Sequence, residues 1–157
     1  MVLHKGDHSS RKDCQPTSGR SEAENLSIQV NQEAHLKEFV RLNELWITEH
    51  FALEAADREL AQHPETVISN GGYVFSLTSD AHVVGVCALF KESDNRYQLA
   101  RMAVAPEHRG KGHGNALIEH ALAKAEALGA ASVFLLSNTR LHAAIELYRK
   151  FGFMTVS

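Results

Sequence analysis

The order of segments between Arg96 and Leu136 limits the possible folds more than any other feature of the chain. An apolar run, "RYQLARMAV" (96–104), is followed by a glycine-rich stretch, "EHRGKGHGNA" (107–116). Leu117, Ile118, Ala121, Leu122, Ala125 and Leu128 then recur at helical spacing, and Gly129 stands where such a helix would stop. "SVFLL" (132–136) is a second apolar run. Its lack of polar alternation predicts a strand covered on both faces. Strand, helix and strand in this order make a βαβ unit, whose strands are parallel and whose crossover is right-handed.

Around this unit the other elements are simpler. "LSIQV" (26–30) reads as a strand, and Leu36, Phe39, Val40, Leu42 and Leu45 mark one face of a helix that starts near Gln32. A shorter helix is expected at 54–62, with Pro64 beyond its end. "GYVFSL" (72–77) and "VVGVCALF" (83–90) form an antiparallel hairpin about "TSDAH", and "ESDN" (92–95) is a second turn. Leu141, Ala144, Ile145, Tyr148 and Phe151 mark a last helix, after which "GFMTV" (152–156) begins a strand. A hairpin joined to a parallel pair predicts an α/β chain of the α+β type, with a mixed, mostly antiparallel sheet and helices on its faces.

Residues 1–25 are polar and aperiodic and read as a flexible tail, leaving 26–157 as one domain. The 44% hydrophobic and 22% charged content suits a soluble globular protein. A net charge of −3 gives no reason to expect nucleic acid or an anionic membrane as partner. There is no apolar run of about 18 residues to span a membrane, and no apolar core of a signal peptide. Cys14 and Cys87 make no disulfide framework, which suits a reducing cytoplasm. The ten histidines show no zinc-ligand spacing, so no metal is expected.

Two local features carry chemistry. In 96–104, Tyr97 and Leu99 fit one period-2 face, whereas Met102 and Val104 fit the other. The slip near Ala100–Arg101 is what a β-bulge produces, unless the alanines at 100 and 103 merely blur the pattern. The glycines at 110, 112 and 114 precede a helix, where backbone N–H groups are unsatisfied and the dipole is positive. With Arg109 and Lys111 beside them they suit a phosphate or pyrophosphate. The spacing fits neither a Walker A loop nor GxGxxG, but it does fit [QR]xxGx[GA] from Arg109 to Gly114. By itself that pattern is also met in loops that only connect a strand to a helix.

"RMAVAPEHRGKGHG", the helix after it, and "AIELYRKFGF" together resemble the acetyl-coenzyme A binding half of the GNAT acetyltransferase superfamily. "GYVFSLTSDAHVVGVCALF" extends the resemblance more loosely, so that it covers about residues 26–156. "NELWITEHFALEAADRELAQHPE" and "SNTRLHAAIELY" further resemble acetyltransferase domains that some bacteria fuse to MarR-type regulators. The resemblance implies an N-acetyltransferase with acetyl-coenzyme A as cosubstrate and a small-molecule or peptide amine as acceptor. A longer acyl chain, or a non-catalytic acyl-coenzyme A sensor, is the alternative. It implies that main-chain groups along Met102, Ala103 and Val104 bond the pantetheine. Backbone N–H groups of Gly110, Lys111, Gly112, His113 and Gly114, with Arg109 in front, would take the pyrophosphate. Asn138 would bond the pantetheine arm or cap the last helix. Tyr148 would protonate the departing thiolate, or else is a core aromatic.

This sequence departs from the family in three places. Gln98 stands where many relatives carry a proton-relaying glutamate, and Glu54 is the substitute candidate, either as a base or as a plain helix-start carboxylate. Leu141 stands where many relatives place a cofactor-binding asparagine. Relatives usually close the sheet with two strands after the last helix, and only the first is found here. A final strand is therefore expected to be missing, with a partner chain (a possible homodimer), a short native end or truncation as the explanations.

Overall fold

The structure, a computed structural model, describes residues 2–6, 25–137 and 141–156. Its strands are β1 (Val2–Gly6), β2 (Leu26–Val30), β3 (Tyr73–Ser79), β4 (His82–Ser93), β5 (Arg96–Val104), β6 (Ser132–Leu136) and β7 (Met154–Val156). Its helices are α1 (Leu36–His50), α2 (Ala55–Gln62), α3 (Thr66–Ser69), α4 (His113–Ala127) and α5 (His142–Lys150). One mixed sheet runs in the order β2-β3-β4-β5-β6-β1-β7. β5 and β6 are parallel, as the βαβ pattern requires, and the other neighbours are antiparallel.

The apolar stripes read from the sequence decide which face each helix covers. Leu36, Phe39 and Leu42 of α1 pack with Val74, Val86 and Ala103 on one face. Leu117, Ile118 and Ala121 of α4 pack with Phe75, Leu89 and Leu99 on the other. Leu147, Tyr148 and Phe151 pack against this second cluster, so the last helix lies on the α4 side. Gly129 ends α4 in a left-handed conformation (φ 78°). The N–H of Ala130 reaches the Ala125 carbonyl at 3.0 Å, and that of Gly129 reaches Glu126 at 3.0 Å. This is the double bond pattern that closes a helix at glycine. α3 had no sequence signal, and β4 runs through Ser93, into the stretch read as a turn.

The main correction concerns the N-terminus. Val2–Gly6 is not tail but the strand between β6 and β7. It pairs with β6 along its whole length, from Val2↔Leu136 to Gly6↔Ser132, and with β7 from Val2↔Val156 to His4↔Met154. Leu3 is 0% exposed and joins Leu135 and Phe153 in the core. The strand expected to be missing beside β7 is thus supplied from the other end of the chain. "VLHKG" holds only two apolar residues, too few to show a period. What specifies it as a strand is the two ladders it completes, since backbone groups between β6 and β7 need partners. Leu3→Ala should therefore lose roughly 2–5 kcal/mol of stability, the range for a leucine truncated in a packed core. Urea denaturation would measure it; a loss under about 0.5 kcal/mol, as at an ordinary surface position, would return residues 2–6 to a tail.

Candidate functional site

The slip in β5 is a real bulge. Ala100 pairs with Ala88 and Ala103 with Val86, so three steps on β5 face two on β4. Arg101 absorbs the extra residue at φ 61°, a left-handed conformation that costs an L residue about 1–2 kcal/mol. Tyr97, Leu99 and Met102 consequently all face the α4 cluster, while Ala103 faces α1. Two groups hold the bulge. The side-chain N–H of the buried Asn43 donates to the Arg101 carbonyl at 3.3 Å and to the Phe39 carbonyl at 2.8 Å. The Arg101 guanidinium meets Asp57 Oδ1 at 2.7 Å.

Pairing between β5 and β6 stops before the bulge. The parallel ladder runs only from Arg96↔Ser132 to Gln98↔Phe134. β5 continues to Val104 while β6 turns to β1 for its pairing. Main-chain polar groups of Met102 and Val104 point away from β4, to the side on which β5 has no further β6 partner, whereas those of Ala103 point to β4, as does the Ala105 N–H that reaches the Val84 carbonyl at 2.8 Å. A short 3₁₀ turn, Pro106–His108, then carries the chain into the glycine stretch.

Gly110 and Gly112 are left-handed (φ 79° and 82°), and a Cβ built on either would meet nothing within 4 Å. Their role is therefore conformational, and the turn presents bare, accessible backbone. Gly112 is the N-cap of α4, with its carbonyl accepting the Ala116 N–H at 3.1 Å. Gly114 sits at the other end of the motif, where a Cβ would lie 3.8 Å from Met102 and 3.9 Å from Leu147. It ties the bulged strand, the start of α4 and α5 together. His113 is buried and Lys111 is exposed.

Arg109 is not simply poised in front of this turn. Its Nε–H donates to the Val104 carbonyl at 3.1 Å, and its Nη2 meets Glu49 Oε1 of α1 at 2.8 Å. Hydrogen bonding from Arg109 holds the Glu49 carboxyl below the usual range. Sequence reading did not anticipate Glu49, because nothing local links a helix-end glutamate to a residue 60 positions away.

Tyr148 lies on α5 with its ring edge-on to Phe153 at 6.1 Å. Burial, with Cys87 a lesser cause, pushes its phenol up to about 12. At neutral pH it is protonated and able to donate. Gln98 sits mid-sheet between Phe90 and Phe134. Glu54 is the exposed N-cap of α2 and forms a capping box with Asp57, whose Oδ2 accepts the Glu54 N–H at 2.8 Å. Leu141 caps α5 without a side-chain hydrogen bond. Asn138 lies outside the described residues. Among the described residues no helix is long and apolar enough to cross a membrane.

Residues 35–153 match the acetyltransferase (GNAT) family. The chain is 32% identical over 101 residues to N-acetyltransferase family 8 member 3 of Rattus norvegicus, covering 60% of this chain and 44% of that protein. It spans no more than about half the length of the curated relatives it matches. Among solved structures, a GNAT-family acetyltransferase from Staphylococcus aureus superposes with a TM-score of 0.76 at 15% identity, over 85% of this chain and 86% of that one. N-acetylglutamate synthase from Neisseria gonorrhoeae, solved with coenzyme A and L-arginine, gives 0.61 at 26% identity, over 84% of this chain and 28% of that one.

The Tyr148 phenol also makes stability depend on alkaline pH. A phenol that ionises near 10 in the unfolded chain and at about 12 in the fold stabilises the folded state fully below pH ~10. That contribution is lost as pH rises toward the folded value, because the unfolded chain releases its proton first. The urea midpoint of the wild type should fall between about pH 10 and 12, and that of Tyr148→Phe should fall less. Equal falls would place the phenol in water.

Proposed function

The chain belongs to the GNAT acetyltransferase family, and from that premise we propose that it moves an acetyl group from acetyl-coenzyme A to a primary amine by direct attack on the thioester. One observation carries this reading. The β5–β6 ladder ends at Gln98↔Phe134, while β5 runs on through a bulge to a bare glycine turn at a helix N-terminus. The result is a continuous track of main-chain donors and acceptors, long and polar enough for a pantetheine arm followed by a pyrophosphate.

Along that track Met102 and Val104 offer main-chain groups to the pantetheine amides, while those of Ala103 point to β4. A main-chain N–H at the bulge stabilises the oxyanion that forms as the amine adds to the carbonyl. The N–H groups from Gly110 to Gly114 and the positive end of α4 take the pyrophosphate. Arg109 must exchange Glu49 for a phosphate oxygen if it is to join them. When the tetrahedral intermediate collapses, Tyr148 donates its proton to the departing sulfur, which a phenol held protonated is suited to do.

The amine must also lose a proton, and here the site is thin. Gln98 cannot act as a base, and Glu54 is engaged in the cap of α2. These two facts favour a second reading, an acyl-coenzyme A sensor that binds without turnover. Thiol release from acetyl-coenzyme A against a panel of amines separates the two readings.

Gly112→Asp places a carboxylate where the pyrophosphate is proposed to sit, in a left-handed conformation aspartate tolerates. Calorimetry should show coenzyme A binding lost while circular dichroism stays native; unchanged affinity would refute the assignment. Tyr148→Phe keeps the ring and removes the proton, so kcat should fall by roughly 10²-fold, within the range for a positioned acid, with coenzyme A affinity little changed. Wild-type kcat in that variant would leave Tyr148 a core aromatic.

A further inference from the structure

α2 is an unusual element of this fold. None of its residues is buried, and Leu60 is its contribution to the α1-side apolar cluster. Hydrophobic burial therefore fixes its position weakly. Its firmest tie to the sheet is Asp57, whose carboxylate meets the Arg101 guanidinium at 2.7 Å with both side chains largely sheltered, at 15% and 20% exposure. Arg101 is the residue that absorbs the β5 bulge at φ 61°. Asn43 of α1 holds the carbonyl of that same residue. Asn43, Asp57, Leu60 and Arg101 line a small cleft between α1, α2 and the bulge. Two helices that precede the hairpin are thus pinned to the one irregular residue of the strand.

We propose that the Asp57–Arg101 ion pair, with Asn43 behind it, is a positioning device that fixes α2 against the β5 bulge, beside the main-chain N–H assigned above to the oxyanion, and so shapes the approach of the acceptor amine to the thioester carbonyl. This rests on the acetyl-transfer reading above. Asp57 and Arg101 are positioning residues that act through α2 and the bulge backbone. The Asp57 carboxyl is suited to the task. Burial pushes it up, but the Glu54 N–H, Arg101 and Arg58 together outweigh that and hold it below its usual value. It is therefore a carboxylate at neutral pH, and one end of it caps α2 while the other holds the sheet.

The test uses Asp57→Asn, Arg101→Gly and the double variant. Glycine accepts a positive φ without strain, so Arg101→Gly removes the guanidinium and leaves the bulge able to form. Hydrogen exchange of the α2 amides should quicken by about tenfold in each single variant and no further in the double, the non-additivity expected of a contacting pair. Calorimetric affinity for coenzyme A should change by less than about threefold in Asp57→Asn, because Asp57 lies on α2, outside the main-chain track of β5 and the glycine turn. With an amine that the wild type acetylates, KM for the amine should rise by about tenfold in Asp57→Asn while KM for acetyl-coenzyme A holds within about twofold. Unchanged α2 exchange, or additive effects in the double variant, would overturn the proposal. So would an equal rise in both KM values. Wild-type protein that binds coenzyme A but acetylates no amine would sink the transfer reading and the acceptor half with it, while the exchange comparison still decides whether the pair anchors α2.

Discussion

One extra residue in β5 organises the molecule. Inserting Arg101 between Ala100 and Ala103 rotates the strand, so that Met102 joins Leu99 on the α4 face and Ala103 turns toward α1. It follows the last β5–β6 pair, Gln98↔Phe134. The left-handed conformation at Arg101 works against folding. The hydrogen bond from Asn43 and the ion pair with Asp57 offset it. The bulge is therefore held from both helices that cross its face rather than by its own strand neighbours.

The sheet on the far side of the gap depends on a different contact. β6 is joined to β5 by three residue pairs only, so it needs a second ladder along its length. β1 supplies that ladder over five pairs, and it also carries β7. Leu3, Leu135 and Phe153 give this half of the sheet a buried apolar seam. The two halves diverge around a short parallel hinge, and α4 crosses from the end of one to the start of the other.

Charge is distributed around this opening with restraint. Arg109 stands at the mouth of the glycine turn, where Glu49 balances its charge. Tyr148 is kept neutral by burial on the opposite element. The family assignment rests on the match over 35–153.

Local pattern determined a good deal of this protein. The run of strand, glycines, helix and strand dictated the parallel pair. The shift of apolar residues from 97 and 99 to 102 and 104 marked the bulge, and the glycines at 110 and 112 marked a left-handed, uncrowded turn. Each of these is written in residues that are neighbours in sequence. What only the tertiary structure decided is written in pairs that are not. Asp57 meets Arg101 across 44 positions, and Glu49 meets Arg109 across 60. Val2–Gly6 finds both its ladders at the other end of the chain, with partners in 132–136 and 154–156. Two apolar residues cannot announce a strand by period. A strand inserted between two waiting edges is fixed by backbone hydrogen bonds, which carry no side-chain signature, so its place existed only once the rest of the sheet was there to receive it.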